Sequence, residues 1–161
     1  MKLLFGIGNP GHEYDDTRHN VGIAFVEFVN NTSEEFECVA SDVFVNTSGP
    51  IVKKLKTKYK LKNGDIIIAH DDLDIAFGNY KIAFDRSSAG HKGVQSVIDV
   101  LKTQQFWRVR IGTASPRLRS ARSAGSVADY VLSKFTPTER KHLPEIFTSA
   151  LHELSHRIAH P

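Results

Sequence analysis

The chain has 161 residues, 40% hydrophobic and 24% charged, a composition that suits one globular domain with a buried core. Its net charge of +3 admits an acidic partner without requiring one, and its single cysteine, Cys38, excludes an internal disulfide. The opening apolar run is too short for a secretion signal and no segment reaches the length of a membrane span, so a cytoplasmic protein without membrane attachment is expected.

In chain order, "KLLFGIG" is a short apolar run closed by glycines, the pattern of a buried strand. From Asn20, a plausible N-cap, Val21, Ala24, Phe25, Phe28 and Val29 recur at helical spacing. Residues 30–43 are polar and irregular and read as a loop. "FVNTSGP" leads into a second helix with Val52, Leu55 and Tyr59 on one side and Lys53, Lys54, Lys56, Lys58 and Lys60 on the other. "DIIIAHDDLD" begins as a fully buried strand and finishes in a burst of acidic residues. "NYKIAFD" alternates as a half-exposed strand does, and "AGHKGVQSVIDVLKT" is glycine-punctuated and then helical. "FWRVRIGTA" alternates again, whereas residues 115–126, rich in Ser, Arg and Gly, read as a mobile stretch. "VADYVLSKF" predicts a short helix. The last helix starts at a capping box, Thr136 with Pro137 and Glu139, and carries an apolar stripe through Leu143, Phe147, Ala150 and Leu154.

Alternation of strands and helices predicts the α/β class: a three-layer sandwich around a mixed, mostly parallel central sheet, built as one domain over residues 1–161. Gly6, Gly8 and Gly11 spell GxGxxG, the dinucleotide-binding spacing. That reading requires a helix starting at the glycines, and here Pro10 and an aperiodic "HEYDDTRHN" intervene. The glycines are better read as a tight turn that projects Asn9 from the end of the first strand.

Asn9, His19 and Asp71 then fall where an open α/β sheet gathers functional groups, at the carboxyl ends of strands. A carboxylate beside an imidazole fixes its tautomer, so the ring can take a proton from water, and an amide such as Asn9 or Asn46 can steady a developing oxyanion. No serine sits in a nucleophile elbow, so the enzymatic reading is water attack assisted by His19 and Asp71. Alternatives stay open at this point: His19 as a cap, and Asp71, Asp72 and Asp74 as a solvated turn or a hard-cation site. The lysine run reads as a helix's wet face or as a set of phosphate contacts. His70 and His91 beside Asp71 match no familiar metal-ligand spacing.

These residues are carried by motifs that resemble the bacterial peptidyl-tRNA hydrolases. "GIGNPGHEYDDTRHNVG" resembles that family's opening motif, "FVNTSG" its Phe-Met-Asn-Leu-Ser-Gly, "IIAHDDLD" its His-Asp-Glu-Leu-Asp and "AGHKG" its Gly-His-Asn-Gly. "FWRVRIGTASP" and "VADYVLSKFTPTER" match later segments in order, and the resemblance runs from residue 2 to about 150. It implies hydrolysis of the ester between a peptide and the 3'-terminal ribose of tRNA, recycling tRNA from aborted translation, with no cofactor and no metal. By position, His19 would be the general base, Asp71 its orienting carboxylate, and Asn9 a substrate holder. Tyr14 would line the site, Asn46 and the backbone at Val45 would place the water or peptide, and Arg110 would meet a tRNA phosphate. Peptidyl-tRNA is the implied partner, and a monomer is expected.

The chain also departs from the pattern. Lys92 stands at the family's asparagine position, Val45 replaces a methionine, and Ala83 stands where many members carry a basic residue. The stretch before "FVNTSG" is shorter than usual, so one or two strands are expected to be missing. An alternative function is a catalytically weakened relative that binds RNA as a processing or splicing cofactor.

Overall fold

The computed structural model describes all 161 residues. Five strands, β1 (Leu3–Gly6), β2 (Glu37–Ala40), β3 (Ile66–Ala76), β4 (Tyr80–Phe84) and β5 (Trp107–Ala114), form one sheet in the order β2-β1-β3-β5-β4. All neighbours are parallel except β4, which runs antiparallel to β5 at the edge. The helices are α1 (Val21–Thr32), α2 (Ser48–Lys58), α3 (Lys92–Leu101), α4 (Pro116–Ser123), α5 (Val127–Val131) and α6 (Pro137–Ala159). None is long and apolar enough to cross a membrane.

Parallel strands covered on both faces read as continuous apolar runs, and successive side chains feed opposite layers. Leu4 and Ile67 therefore join Phe25, Phe147 and Leu154 on the α1/α6 side, while Phe5 and Ile68 join Val52, Val94 and Val97 on the α2/α3 side. The two cores give the three layers expected from the alternation of elements. Because β1 has β2 on one flank and β3 on the other, the strand order reverses at β1. A crevice opens at that point beyond the strands' carboxyl ends.

Helix α1 packs tightly against β1 and β3. A Cβ on Gly22 would come within 2.3 Å of the Ala69 carbonyl oxygen, and one on Gly6 within 2.5 Å of the Gly22 carbonyl oxygen. Gly6 is thus explained by helix–strand contact and not by a bound dinucleotide, whose helix would have to begin at the glycines.

Three expectations need correction. Residues 30–43 are not one loop: α1 continues to Thr32, and Glu37–Ala40 pairs with β1 as an edge strand. Pairing with β1 outweighs a polar local composition, so the shortened segment still supplies a strand. The acidic end of "IIIAHDDLD" is not a turn, because β3 runs on to Ala76, held against β5 with a register shift between Asp72 and Ala76. Finally, residues 116–123 form helix α4, with Ser115 at its N-cap position, Pro116 in its first turn and Leu118 buried. The capping box of α6 forms as read: Glu139 N–H donates to Thr136 Oγ1 (3.1 Å) and Thr136 N–H to Glu139 Oε1 (2.9 Å).

Candidate active site

The crevice holds a cavity of about 680 Å³. Its walls include Asn9, His19, Val45, Asn46, Asp71 and Lys92, brought together from well-separated parts of the sequence. Asp71 is 4% exposed, and both its carboxylate oxygens are occupied by imidazoles. His19 Nδ1 lies 2.9 Å from Oδ2 and His91 Nε2 lies 2.8 Å from Oδ1.

The tautomers follow from the remaining contacts. His91 is the N-cap of α3, and its Nδ1 accepts the backbone N–H groups of Gly93 (3.2 Å) and Val94 (3.3 Å). That nitrogen must carry a lone pair, so the ring proton sits on Nε2 and is donated to Asp71. Asp71 likewise accepts from His19 Nδ1, which leaves His19 Nε2 as an unprotonated nitrogen with no protein partner on a ring that lines the cavity.

The electrostatics single out the same ring. Burial pushes His19 down, but the hydrogen bond and negative charge of Asp71 outweigh it, and the net shift is upward from 6.5. Burial alone would raise the Asp71 carboxyl, and the His91 and His19 imidazoles overturn this and hold it well below the usual carboxylate range. His70 is kept neutral, far below 6.5, first by complete burial and then by His91 beside it. Its Nδ1 donates to the Asp71 carbonyl oxygen (2.7 Å), and its ring packs edge-on to His91 at 4.7 Å. The buried carboxylate thus holds one imidazole, His19, whose second nitrogen has no protein partner and lies on the cavity side.

Asn9 is set by its neighbours. Asn20 accepts the Asn9 N–H on Oδ1 and donates from Nδ2 to the Asn9 carbonyl oxygen, both at 2.9 Å. Asn20 stands at the N-cap position of α1 but makes no capping bond; its amide is spent on this clamp. Asn9 Oδ1 accepts from Val45 N–H (3.1 Å), so its Nδ2 is the end left free for a ligand. The Val45 carbonyl accepts from Ser48 Oγ (2.7 Å), and Val45 lines the cavity beside Asn9.

Asn46 and Lys92 are exposed on the rim, with no side-chain partner on either. Tyr14 stands one layer behind the cavity wall, its ring edge-on to Phe44 at 6.3 Å, and Phe44 forms the wall. Arg110 is half-buried: its Nε donates to Asp72 Oδ2 at 2.8 Å and its side chain is 20% exposed.

Several supporting residues had no role in the sequence reading. Arg18, beside His19, is 1% exposed and pairs through Nη2 with Glu139 at 2.7 Å. Its Nη1 donates to Ser133 and Lys134, and its guanidinium lies between the Tyr130 (4.9 Å) and Phe135 (5.2 Å) rings. The turn bearing His19 is thereby docked on the segment that starts α6. Arg108, 3% exposed, donates to the Ser87 carbonyl oxygen (2.7 Å) and anchors the loop that carries Ser88, Ala89 and Gly90 into the cavity wall. No capping signal marked His91 in the sequence, because the usual N-cap side chains are those of Ser, Thr, Asp and Asn.

His19, Asp71 and His91 offer one donor atom each within 4.8 Å of one another, a grouping in which a transition metal could sit. The 2.8 and 2.9 Å separations are ordinary hydrogen-bond lengths, and both carboxylate oxygens already have N–H partners.

The fold and this constellation define a class: an α/β protein with a His–Asp pair in a cavity at the switch point of a mostly parallel sheet. Residues 3–160 match the family model described as peptidyl-tRNA hydrolase, and the chain belongs to that family. Among similar proteins, the peptidyl-tRNA hydrolase of Aquifex aeolicus is 36% identical over 94% of this chain and 86% of its own. That of Sulfurihydrogenibium sp. is 34% identical, over 93% and 87%. The crystal structure of peptidyl-tRNA hydrolase from Acinetobacter baumannii superposes with a TM-score of 0.80 at 27% identity, covering 96% of this chain and 87% of the other.

Proposed function

We propose that this protein hydrolyses the ester joining a peptide to the 3'-terminal ribose of tRNA, with His19 as general base and Asp71 as its orienting carboxylate. The observation that carries the reading is the 2.9 Å His19 Nδ1–Asp71 contact, on a ring whose Nε2 is open to the cavity. Membership of the peptidyl-tRNA hydrolase family supports the substrate class.

In this mechanism a water in the cavity gives a proton to His19 Nε2 as its oxygen attacks the ester carbonyl carbon. Asp71 steadies the imidazolium as it forms. The Asn9 Nδ2 donates to the carbonyl oxygen as negative charge develops there, and the clamp from Asn20 and Val45 holds that amide ready beforehand. Collapse breaks the bond to the ribose oxygen, which takes the proton back from His19. Asn46 and Lys92 contact the substrate from the rim, and Val45 and Phe44 give the acyl group an apolar wall. Tyr14 acts by supporting Phe44, and Arg110 acts through Asp72 rather than as a free phosphate ligand. The protein works in the cytoplasm as a monomer, with peptidyl-tRNA as its partner and no cofactor or metal. A binding-only RNA relative is not favoured, because it would have no use for a base with a raised pKa held on a buried carboxylate.

The test is release of amino acid from N-acetylaminoacyl-tRNA compared with unblocked aminoacyl-tRNA. The reading expects rapid release from the first and little from the second. Equal rates, or none with either, would overturn it.

A further inference from the structure

The lysine face of α2 is not an ordinary wet surface. No acidic residue occurs between Asp42 and Asp65, and Lys53, Lys54, Lys58, Lys60 and Lys62 are exposed. None of them enters an ion pair. Solvated helix faces usually mix signs, and like charges at i, i+4, as in Lys54 and Lys58, cost helix stability. The row gains from a polyanion laid along it.

The row leads to the catalytic cavity. A groove of about 420 Å³ separates α2 from α3, lined by Asn46, Thr47, Pro50, Lys92, Gln95 and Ser96 among others. Asn46 and Lys92 line the cavity as well, so the groove opens from it. Its floor is closed where the helices touch: Gly49 N–H donates to Ser96 Oγ (2.9 Å), and a Cβ on Gly49 would meet the Ser96 carbonyl oxygen at 2.2 Å. From Pro50 the helical i, i+4 row continues to Lys54 and Lys58, with Lys53 beside it, about 12 Å along the axis from Pro50 to Lys58. The groove's one acid, Asp99, accepts from Gln95 Nε2 (2.7 Å). Across the cavity, Asp74 faces Arg122 at 3.9 Å and offers a phosphate no net charge.

We propose that Lys92, the α2/α3 groove and the row Lys53, Lys54 and Lys58 form a track for the sugar–phosphate backbone of the RNA strand that carries the ester. It leads that strand from the cavity out along α2. The inference rests on the proposed hydrolase activity and adds where the RNA runs. It also gives Lys92 a use at this position: a cation at the mouth of the groove meets the first phosphate beyond the terminal ribose, where an amide would offer only a neutral donor.

The test compares wild type with the triple variant Lys53→Gln, Lys54→Gln, Lys58→Gln, whose helix propensity is close to that of the parent. Two substrates are used: N-acetylaminoacyl-tRNA, and the same acyl ester on free adenosine, which has no phosphate. For the tRNA ester the variant is expected to lose about tenfold in kcat/KM, through KM, at moderate salt. The slope of log kcat/KM against log salt should become shallower by about 2, from three lost single-strand contacts. Hydrolysis of the adenosine ester should not change. Wild type that cleaves both esters, with a variant of unaltered KM and salt slope on tRNA, would overturn the track alone. Wild type that cleaves neither would overturn the hydrolase reading and the track with it.

Discussion

Asp71→Asn keeps the shape of the side chain and removes its charge. Loss of a charge-assisted hydrogen bond costs about 1.5–3 kcal/mol, or about 10- to 150-fold in rate. The structure predicts more. His91 Nδ1 is committed to two backbone N–H groups, so His91 Nε2 keeps its proton and needs an acceptor. The carbonyl end of the introduced amide must therefore turn to His91, and its NH2 end to His19 Nδ1. That places the His19 proton on Nε2, where the ring cannot take one from water. The whole general-base contribution is then lost, about 10²–10⁴-fold, and the drop should fall near the upper end. In wild type the acidic limb of kcat/KM lies above 6.5, because His19 must lose its proton to act and its pKa is raised. In the variant the raising interactions are gone while burial remains, so any residual activity should titrate below 6.5. The assay is a pH series of single-turnover ester hydrolysis on N-acetylaminoacyl-tRNA. A variant within about tenfold of wild type, or with its acidic limb unmoved, would refute the assignment.

Three further outcomes are expected. Arg18→Met strands Glu139, and breaking such a buried pair costs about 3–5 kcal/mol, so the melting temperature should fall by about 6–20 °C. Gly22→Ala should lower it by about 2–12 °C despite the better helix propensity of alanine, since the added methyl meets the Ala69 carbonyl oxygen. A stabilised Gly22→Ala protein in thermal melts would contradict the close approach of α1. His70 is neutral when folded and takes a proton below about 6.5 when unfolded, so wild-type stability should fall as pH drops through that range. His70→Gln should flatten this slope by up to about 1.4 kcal/mol per pH unit, read from denaturant midpoints between pH 6 and 5.

The three polar residues gathered at the cavity were legible because each stands where the apolar pattern breaks: Asn9 after a strand, His19 before a helix, Asp71 after an isoleucine run. Their supports were not. Arg18 and Asn20 share "TRHN" with His19, and three neighbouring polar residues give no period to tell a buried clamp from an exposed base. Arg18 is buried only because Glu139, 121 positions away, and two aromatic rings receive it. Arg110 likewise has a partner that the local pattern does not show, Asp72 on the neighbouring strand. Strand β2 and the far half of β3 are made by pairing with β1 and β5, and a polar local composition hides both. Helix α4 shows the limit of compositional reading: Ser, Arg and Gly suggest a loop, yet arginine is a good helix former and Pro116 sits where a first turn tolerates it.

The proposed mechanism stands on His19 as the base that activates water on the ester. The most direct measurement is steady-state hydrolysis of N-acetylaminoacyl-tRNA by wild type and His19→Ala side by side, with folding of both checked by melting. A loss of at least about 100-fold in kcat is expected, with KM little changed. A His19→Ala protein that turns over at the wild-type rate would contradict it.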